Sequence, residues 1–130
     1  MNTEISVKTK SRNEFINITQ EVQNVVNKSG IKDGVCYIFV PHTTAGVTIN
    51  EAADPDVVED LQRQLDKTAP VDGNYRHTEG NSDAHIKASI IGSSQMVFIE
   101  SGRLKLGTWQ GIFFCEFDGA RNRKVWLKIV

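Results

Sequence analysis

The sequence predicts an α+β fold: a single β-rich domain whose mostly antiparallel strands form a sandwich- or barrel-like core with two or three helices. Three observations lead there. Short segments with period-two alternation recur from one end of the chain to the other. Two stretches carry helix start and stop signals around an apolar stripe. Asp118-Gly119 marks a turn between the last two strand-like runs. With 130 residues the chain has room for one modest core, so residues 1–130 are read as one domain.

The elements follow in order. Residues 3–9 alternate Ile5 and Val7 with polar neighbours, as a half-buried strand does, and residues 12–18 suit a second strand. Thr19 is placed to cap a helix running to Ser29, with Val22, Val25 and Val26 inward and Gly30 as its stop. Residues 35–40 are almost continuously apolar, which predicts a strand buried on both faces. Residues 46–50 read as the next strand. The clearest helix spans 55–67: Asp54 can cap it, Pro55 suits its first position, and Val57, Val58, Leu61 and Leu65 form one stripe. Asp56, Glu59 and Asp60 near its start, and Arg63 and Lys67 towards its end, complement the helix dipole. Residues 70–81 form a long loop, a length usually kept for function or for covering something. A short helix at 83–91 and strands near 95–101, 111–117 and 123–130 complete the chain. The last two strands are expected to be joined as a hairpin.

Composition narrows the function. Hydrophobic content of 39%, charged content of 24% and a formal net charge of −1 belong to a soluble globular protein. They argue against a broad nucleic-acid or membrane-surface footprint, which needs a basic excess. No run approaches membrane-spanning length and the N-terminus has no apolar signal core, so a cytoplasmic protein is expected. Cys36 and Cys115 each sit in an apolar run with no CxxC spacing, as buried structural thiols do.

Four groups of residues can carry chemistry. On the 83–91 helix, Ala84, Ala88 and Ile91 share one side and Ile86 and Ile90 the opposite one, with Ser82, His85 and Ser89 on a narrow polar ridge. Two apolar faces predict cover on both sides, one of which a neighbouring subunit would supply. His85 there is either a satisfied core histidine or a proton donor, ligand donor or metal ligand. In the second group His42 precedes Thr44, Gly46, Thr48 and Asn50, which share a strand face, and Glu51 follows as a base or metal-ligating carboxylate. Third, Gly107-Thr108-Trp109-Gln110 suggests a tight path bringing an indole and an amide against something flat, whereas Trp126 reads as core. Fourth, Arg121 and Arg123 flank the final turn, with Glu116 on the strand before it. Their planar forks suit phosphate or carboxylate, and solvated surface equally. His42, His77 and His85 come from three segments and lack any HExxH spacing; their convergence on one zinc ion, as in a metal-dependent hydrolase, is the alternative.

Together, His42-Thr43, Thr48-Ile49-Asn50-Glu51, Ala53-Asp54-Pro55-Asp56, Ala84-His85-Ile86-Lys87-Ala88-Ser89 and Ser94…Gly102…Leu106-Gly107-Thr108-Trp109-Gln110 resemble the YjbQ-like family, often labelled secondary thiamin-phosphate synthase. The resemblance runs from about residue 34 to the C-terminus. It implies a β-rich α+β domain assembled as a homotrimer, with pockets between subunits. It also implies a modest transferase activity joining a pyrimidine diphosphate to a thiazole phosphate with loss of pyrophosphate. On that reading Arg121 and Arg123 hold phosphate, with Mg²⁺ helping the leaving group. Trp109 stacks on a heteroaromatic ring, and Asn50 and Gln110 read its nitrogens. Thr44 and Ser89 line the substrate. His85 or His42 donates a proton or hydrogen bond, and Glu51 takes a metal or the pyrimidine amine. The alternative is a small-molecule or metal-binding trimer whose synthase activity is incidental. The motif lacks the aspartate-rich metal–pyrophosphate signature expected of that chemistry.

Overall fold

A computed structural model describes residues 2–130. Eight strands and three helices follow in the order β1 (Asn2–Lys8), β2 (Glu14–Asn17), α1 (Thr19–Ser29), β3 (Asp33–Phe39), β4 (Ala45–Glu51), α2 (Pro55–Thr68), α3 (Ser82–Ile91), β5 (Ser94–Glu100), β6 (Arg103–Leu104), β7 (Gln110–Glu116) and β8 (Asn122–Ile129). Every pairing is antiparallel. One sheet has the order β1-β8-β3-β5-β6 and the other β2-β7-β4, the α+β arrangement expected.

Alternation decides which side of each strand enters the core. Val125, Leu127 and Ile129 of β8, Cys36 and Ile38 of β3, and Val97 and Ile99 of β5 point inward to meet Val47 of β4 and Ile112 and Phe114 of β7. Helix α1 adds Val22, Val25 and Val26. The opposite face of β7 presents Phe113 and Cys115, which with Phe117 pack under Ala84 and Ala88 of α3 and against Val58 and Leu65 of α2. The small sheet is therefore sandwiched between the main core and a helical layer. Among the described residues no helix is long and apolar enough to cross a membrane.

Several local expectations change. Helix α1 starts one residue earlier than expected: Ile18 holds the cap position and Thr19 is its first residue. Asn17 Oδ1 accepts from the Thr19 amide (3.0 Å) and hydroxyl (2.6 Å), so the capping side chain comes from β2. Asp54 caps α2 as expected, accepting from the Asp56 amide at 2.9 Å. Its apolar stripe is only half-covered, and no residue of α2 is buried. Strand β3 is not buried on both faces: Cys36 and Ile38 are, but Tyr37 and Phe39 stand on the open face. The doubly covered strand is β7, buried from Gly111 to Glu116. Trp126 is not core either. It alternates outward on β8, stacks on Phe39 at 5.9 Å between ring centroids and donates from Nε1 to Glu4 at 3.0 Å. The turn at Asp118-Gly119 makes no hairpin, because β7 and β8 belong to different sheets. It is a crossover, pressed so close to the β1–β2 connection that a Cβ at Gly119 would lie 2.2 Å from the Ser11 carbonyl oxygen.

Helix α3 differs most. Ala84 and Ala88 are buried as expected, while Ile86 and Ile90 are 38% and 53% exposed, so the second apolar face is open in a single chain. The buried side also takes Asp83 and Lys87, a charged pair absent from the sequence reading. Lys87, 2% exposed, reaches Asp66 of α2 and donates to Asn13 at 3.3 Å. Asp83 accepts from Arg12 at 3.0 Å. The i,i+4 spacing of Asp83 and Lys87 on the Ala84/Ala88 side was the signal available for this.

Candidate functional site

A cavity of about 580 Å³ opens where the segment entering β4, the start of α3 and the β7–β8 crossover converge. It is lined by His42, Thr43, Thr44, His85, Asp118, Arg121 and Arg123 among others. A second recess of about 500 Å³ shares His42, Thr43 and His85 with it and adds Ser89. Gly46 is required at this junction: a Cβ there would lie 2.5 Å from the Gly92 carbonyl oxygen, which ends α3. That close approach brings α3 onto β4.

The floor is a buried charge network. Arg123, 5% exposed, donates from Nε to Glu116 Oε1 at 2.8 Å and from Nη2 to Glu116 Oε2, a two-pronged pair. Nη2 also donates to Thr44 Oγ1 at 2.8 Å. Glu116 further accepts from the Thr9 hydroxyl (2.8 Å) and from the amides of Phe117 (3.1 Å) and Asp118 (3.0 Å). Burial alone would raise the Glu116 pKa. The Arg123 hydrogen bonds, with the Asp118 amide and Thr9, outweigh it and hold the carboxyl below its usual range. Asp118 behaves likewise. Burial opposes its charge, but the Asn81 amide (2.9 Å) and Arg121 (3.0 Å) stabilise it, so its pKa is also lowered. Arg121 donates a second bond, from Nε to the Asp118 carbonyl at 2.8 Å. Nη1 of Arg121 and Nη1 of Arg123 have no partner among the described residues.

His42 is fixed by its backbone neighbour: its Nε2 accepts from the Lys124 amide at 3.0 Å. The neutral ring therefore carries its proton on Nδ1. Burial first, and the Arg123 charge next, push its pKa below the ordinary value, with Glu116 opposing. His85 packs edge-on against His77, 5.4 Å between ring centroids, and His77 lies 3.7 Å from Glu79. The Ser89 hydroxyl donates back to the His85 carbonyl at 2.9 Å, within the helix. Among the described residues, no three His, Cys, Asp or Glu side chains gather as a metal site.

The structure thus brings His42, His85, Thr44, Ser89, Arg121 and Arg123 together around the two recesses, while His77 touches the cluster only through its ring contact with His85. Asn50, Glu51, Trp109 and Gln110 lie at the other end of the same strand pair. Ala45 pairs with Glu116 at the cavity end, and Glu51 with Gln110 at the far end. Six residue steps separate them, roughly 20 Å. There the 107–110 turn is stapled shut: the Gly107 amide donates to Gln110 Oε1 (2.8 Å) and the Gln110 amide to the Gly107 carbonyl (3.0 Å). It presents Trp109 65% exposed. Asn50 Oδ1 accepts only from the Glu51 amide, at 2.7 Å. Sequence reasoning missed Asn81, Asp118 and Thr9, which are held in the network by pairings across the whole chain.

A family model described as UPF0047 protein YjbQ-like matches residues 3–130. UPF0047 protein YugU of Bacillus subtilis is 51% identical over 127 residues, covering 97% of this chain and 96% of that one. A UPF0047 protein of Methanocaldococcus jannaschii is 51% identical over 124 residues, 95% and 90% of the two chains. A crystal structure of an uncharacterized conserved protein of the YjbQ/UPF0047 family from Clostridium acetobutylicum superposes with a TM-score of 0.96 at 58% identity, covering 98% of this chain and 99% of that one. A YbjQ-like protein of unknown function from Sulfolobus solfataricus gives 0.95 at 34%, with 99% and 95% covered. Matched along nearly its whole length in both sequence and fold, this chain belongs to the UPF0047 YjbQ-like family.

Proposed function

We propose that the His42–Arg123 cavity takes a small phosphorylated molecule, and that its chemistry is a thiamin-phosphate-synthase-like transfer. The observation that carries the reading is the pair of arginines, each held on one side by a carboxylate and each keeping Nη1 free. A guanidinium fixed in this way loses little freedom on meeting a phosphate oxygen. In the transfer, a thiazole phosphate nitrogen would use its lone pair to form a C–N bond to the methylene carbon of a pyrimidine diphosphate. The breaking C–O bond would leave its electrons on pyrophosphate. Arg121 and Arg123 would stabilise that growing charge, which lowers the barrier only because they are already in place. Neutral His42 would donate from Nδ1, and His85 would stand as the second hydrogen-bonding group.

Metal help has limited support in the chain's own groups. Asp118 is engaged by Asn81 and Arg121, and Glu79 is the other carboxylate on the cavity wall. These do not make a Mg²⁺ cage, so Mg²⁺ is proposed only as an ion arriving with a diphosphate. Zinc held by His42, His77 and His85 is the less supported alternative, since Nε2 of His42 is engaged by an amide. The open face of α3 and the exposed Tyr37, Phe39, Met96, Phe98 and Trp126 favour self-association, and we propose the homotrimer that the resemblance implies.

The test is thiamin phosphate formation from the two phosphorylated precursors with Mg²⁺, alongside calorimetric titration with pyrophosphate, in wild type and His85→Ala. Turnover lost in the variant supports the transfer. Pyrophosphate binding with no turnover in wild type replaces it with a binding role. The absence of both binding and turnover in wild type overturns the reading.

A further inference from the structure

We infer that Arg12, which lies outside the cavity's lining, is a positioning residue for Arg121: it fixes the Asp118 carboxylate that aims the Arg121 guanidinium at an incoming phosphate. This role deepens the phosphate reading of the His42–Arg123 cavity and rests on it for the identity of the ligand.

The two cavity arginines are held by unequal means. The Arg123 side chain is 6% exposed and paired to a carboxylate that is itself fully buried, so packing and charge both fix it. The Arg121 side chain is 53% exposed. Its side-chain bonds all go to one residue, Asp118: Nη2 donates to the carboxylate at 3.0 Å and Nε to the carbonyl at 2.8 Å. A long, solvated side chain with one anchor is only as well placed as that anchor. Asp118 sits in the crossover between β7 and β8, and its carboxylate keeps one orientation only if both oxygens are engaged. Oδ2 takes Arg121 and, at 2.9 Å, the Asn81 amide. Oδ1 faces Arg12 Nη1 at 3.9 Å, an ion pair rather than a hydrogen bond. Partly buried charges such as these are screened little by solvent.

Arg12 is itself firmly seated. It comes from the β1–β2 connection, and its Nη2 donates to Asp83 Oδ1 at 3.0 Å and to the Gly80 carbonyl at 3.2 Å. Asp83 is 1% exposed, with Lys87 Nζ 4.0 Å from its other oxygen. The Arg12 carbonyl accepts from the Gly119 amide at 3.1 Å, so backbone and side chain grip the crossover together. Charges of alternating sign thus run Lys87, Asp83, Arg12, Asp118, Arg121, from the buried side of α3 to the cavity wall. A planar fork suits the middle of that row, one nitrogen for each carboxylate. Lysine carries the same charge on a single nitrogen and cannot serve both.

The test reads the two arginines separately, by NMR hydrogen exchange of their Nε–H groups in the assembled protein carrying isotope-labelled arginine. Arg12→Lys keeps the charge and removes the fork. In the variant the Arg121 Nε–H is expected to exchange about tenfold faster, the worth of one hydrogen bond, while the Arg123 Nε–H keeps its wild-type rate. Pyrophosphate, titrated by calorimetry, should bind about tenfold more weakly for the same reason. An unchanged Arg121 rate overturns the inference. So does faster exchange at both arginines, which would make Arg12 a general support of the fold. Unchanged pyrophosphate affinity in a variant whose Arg121 has loosened overturns it as well. Should Arg12→Lys fail to fold, Arg12→Met combined with Asp83→Asn removes the buried charge along with its partner and is judged by the same rates. If wild type binds no pyrophosphate, the phosphate reading falls by itself, and the exchange rates alone decide whether Arg12 positions Arg121.

Discussion

The two ends of the β4–β7 ladder obey opposite rules. At the Ala45–Glu116 end, polar groups are buried and bond to one another: Arg123, Glu116, Thr44 and Thr9 form one network that leaves over only Nη1 of Arg123, and its strength comes from low exposure to water. At the Glu51–Gln110 end, groups of the same chemical kinds stand in solvent and bond only to their own turn. One end is shielded within the chain and the other faces solvent. A polar residue's worth is thus set by its desolvation rather than by its type.

The largest effect expected from that difference is Glu116→Gln. Five donors converge on this carboxylate, from Thr9, Arg123 twice, Phe117 and Asp118. An amide in its place turns an NH₂ towards donors and leaves the Arg123 charge buried without a counter-ion. Breaking such a pair costs about 3–5 kcal/mol. Chemical denaturation should show a loss of that size, whereas Glu51→Gln at the far end should change stability by about 0.5 kcal/mol or less. Equal losses at both ends would dissolve the contrast.

That asymmetry also explains what the sequence could show. Period-two alternation and helix signals located most elements, because those patterns are local. The Asp54–Pro55 start of α2 held because a cap needs only its own first turn. Tyr37, Phe39 and Trp126 misled because an apolar side chain does not say whether its cover lies in the same chain. The hairpin expected at Asp118-Gly119 failed for a related reason. Turn residues specify a reversal, but the Thr9 hydroxyl, 112 residues away in sequence, bonds to the Arg121 amide and carbonyl and ties the crossover to the segment after β1. The histidine and arginine cluster was recognisable by residue type. Its physical separation from Trp109 was not, since that depends on strand register.

A middle-sized effect comes from pH. The folded chain holds His42 below its ordinary pKa, chiefly by burial and then by Arg123. The unfolded chain therefore binds a proton more readily there, and stability rises with pH across this window. The contribution is fully present above the unfolded value of about 6.5 and is lost as pH falls through the lower folded value. Proton NMR should place the His42 midpoint below that of a histidine in the denatured chain. His42→Gln should flatten the acid side of the stability curve near that pH. A His42 midpoint at or above the denatured value would show that the cavity end is wetter than its network implies.

The smallest effect on the isolated chain, and the sharpest probe of the unfinished end, is Trp109→Ala. At 65% exposure the indole buries little within its own chain, so under dilute conditions the variant should unfold within about 0.5 kcal/mol of wild type. If the indole is covered by a second copy, the gap should widen as protein concentration rises, because assembly stabilises only the folded form. Paired denaturation curves at low and high concentration separate the cases. A gap that grows with concentration marks Trp109 as part of a contact between chains. A constant gap near zero would leave it an ordinary exposed side chain, and the ladder's far end would then be finished as it stands.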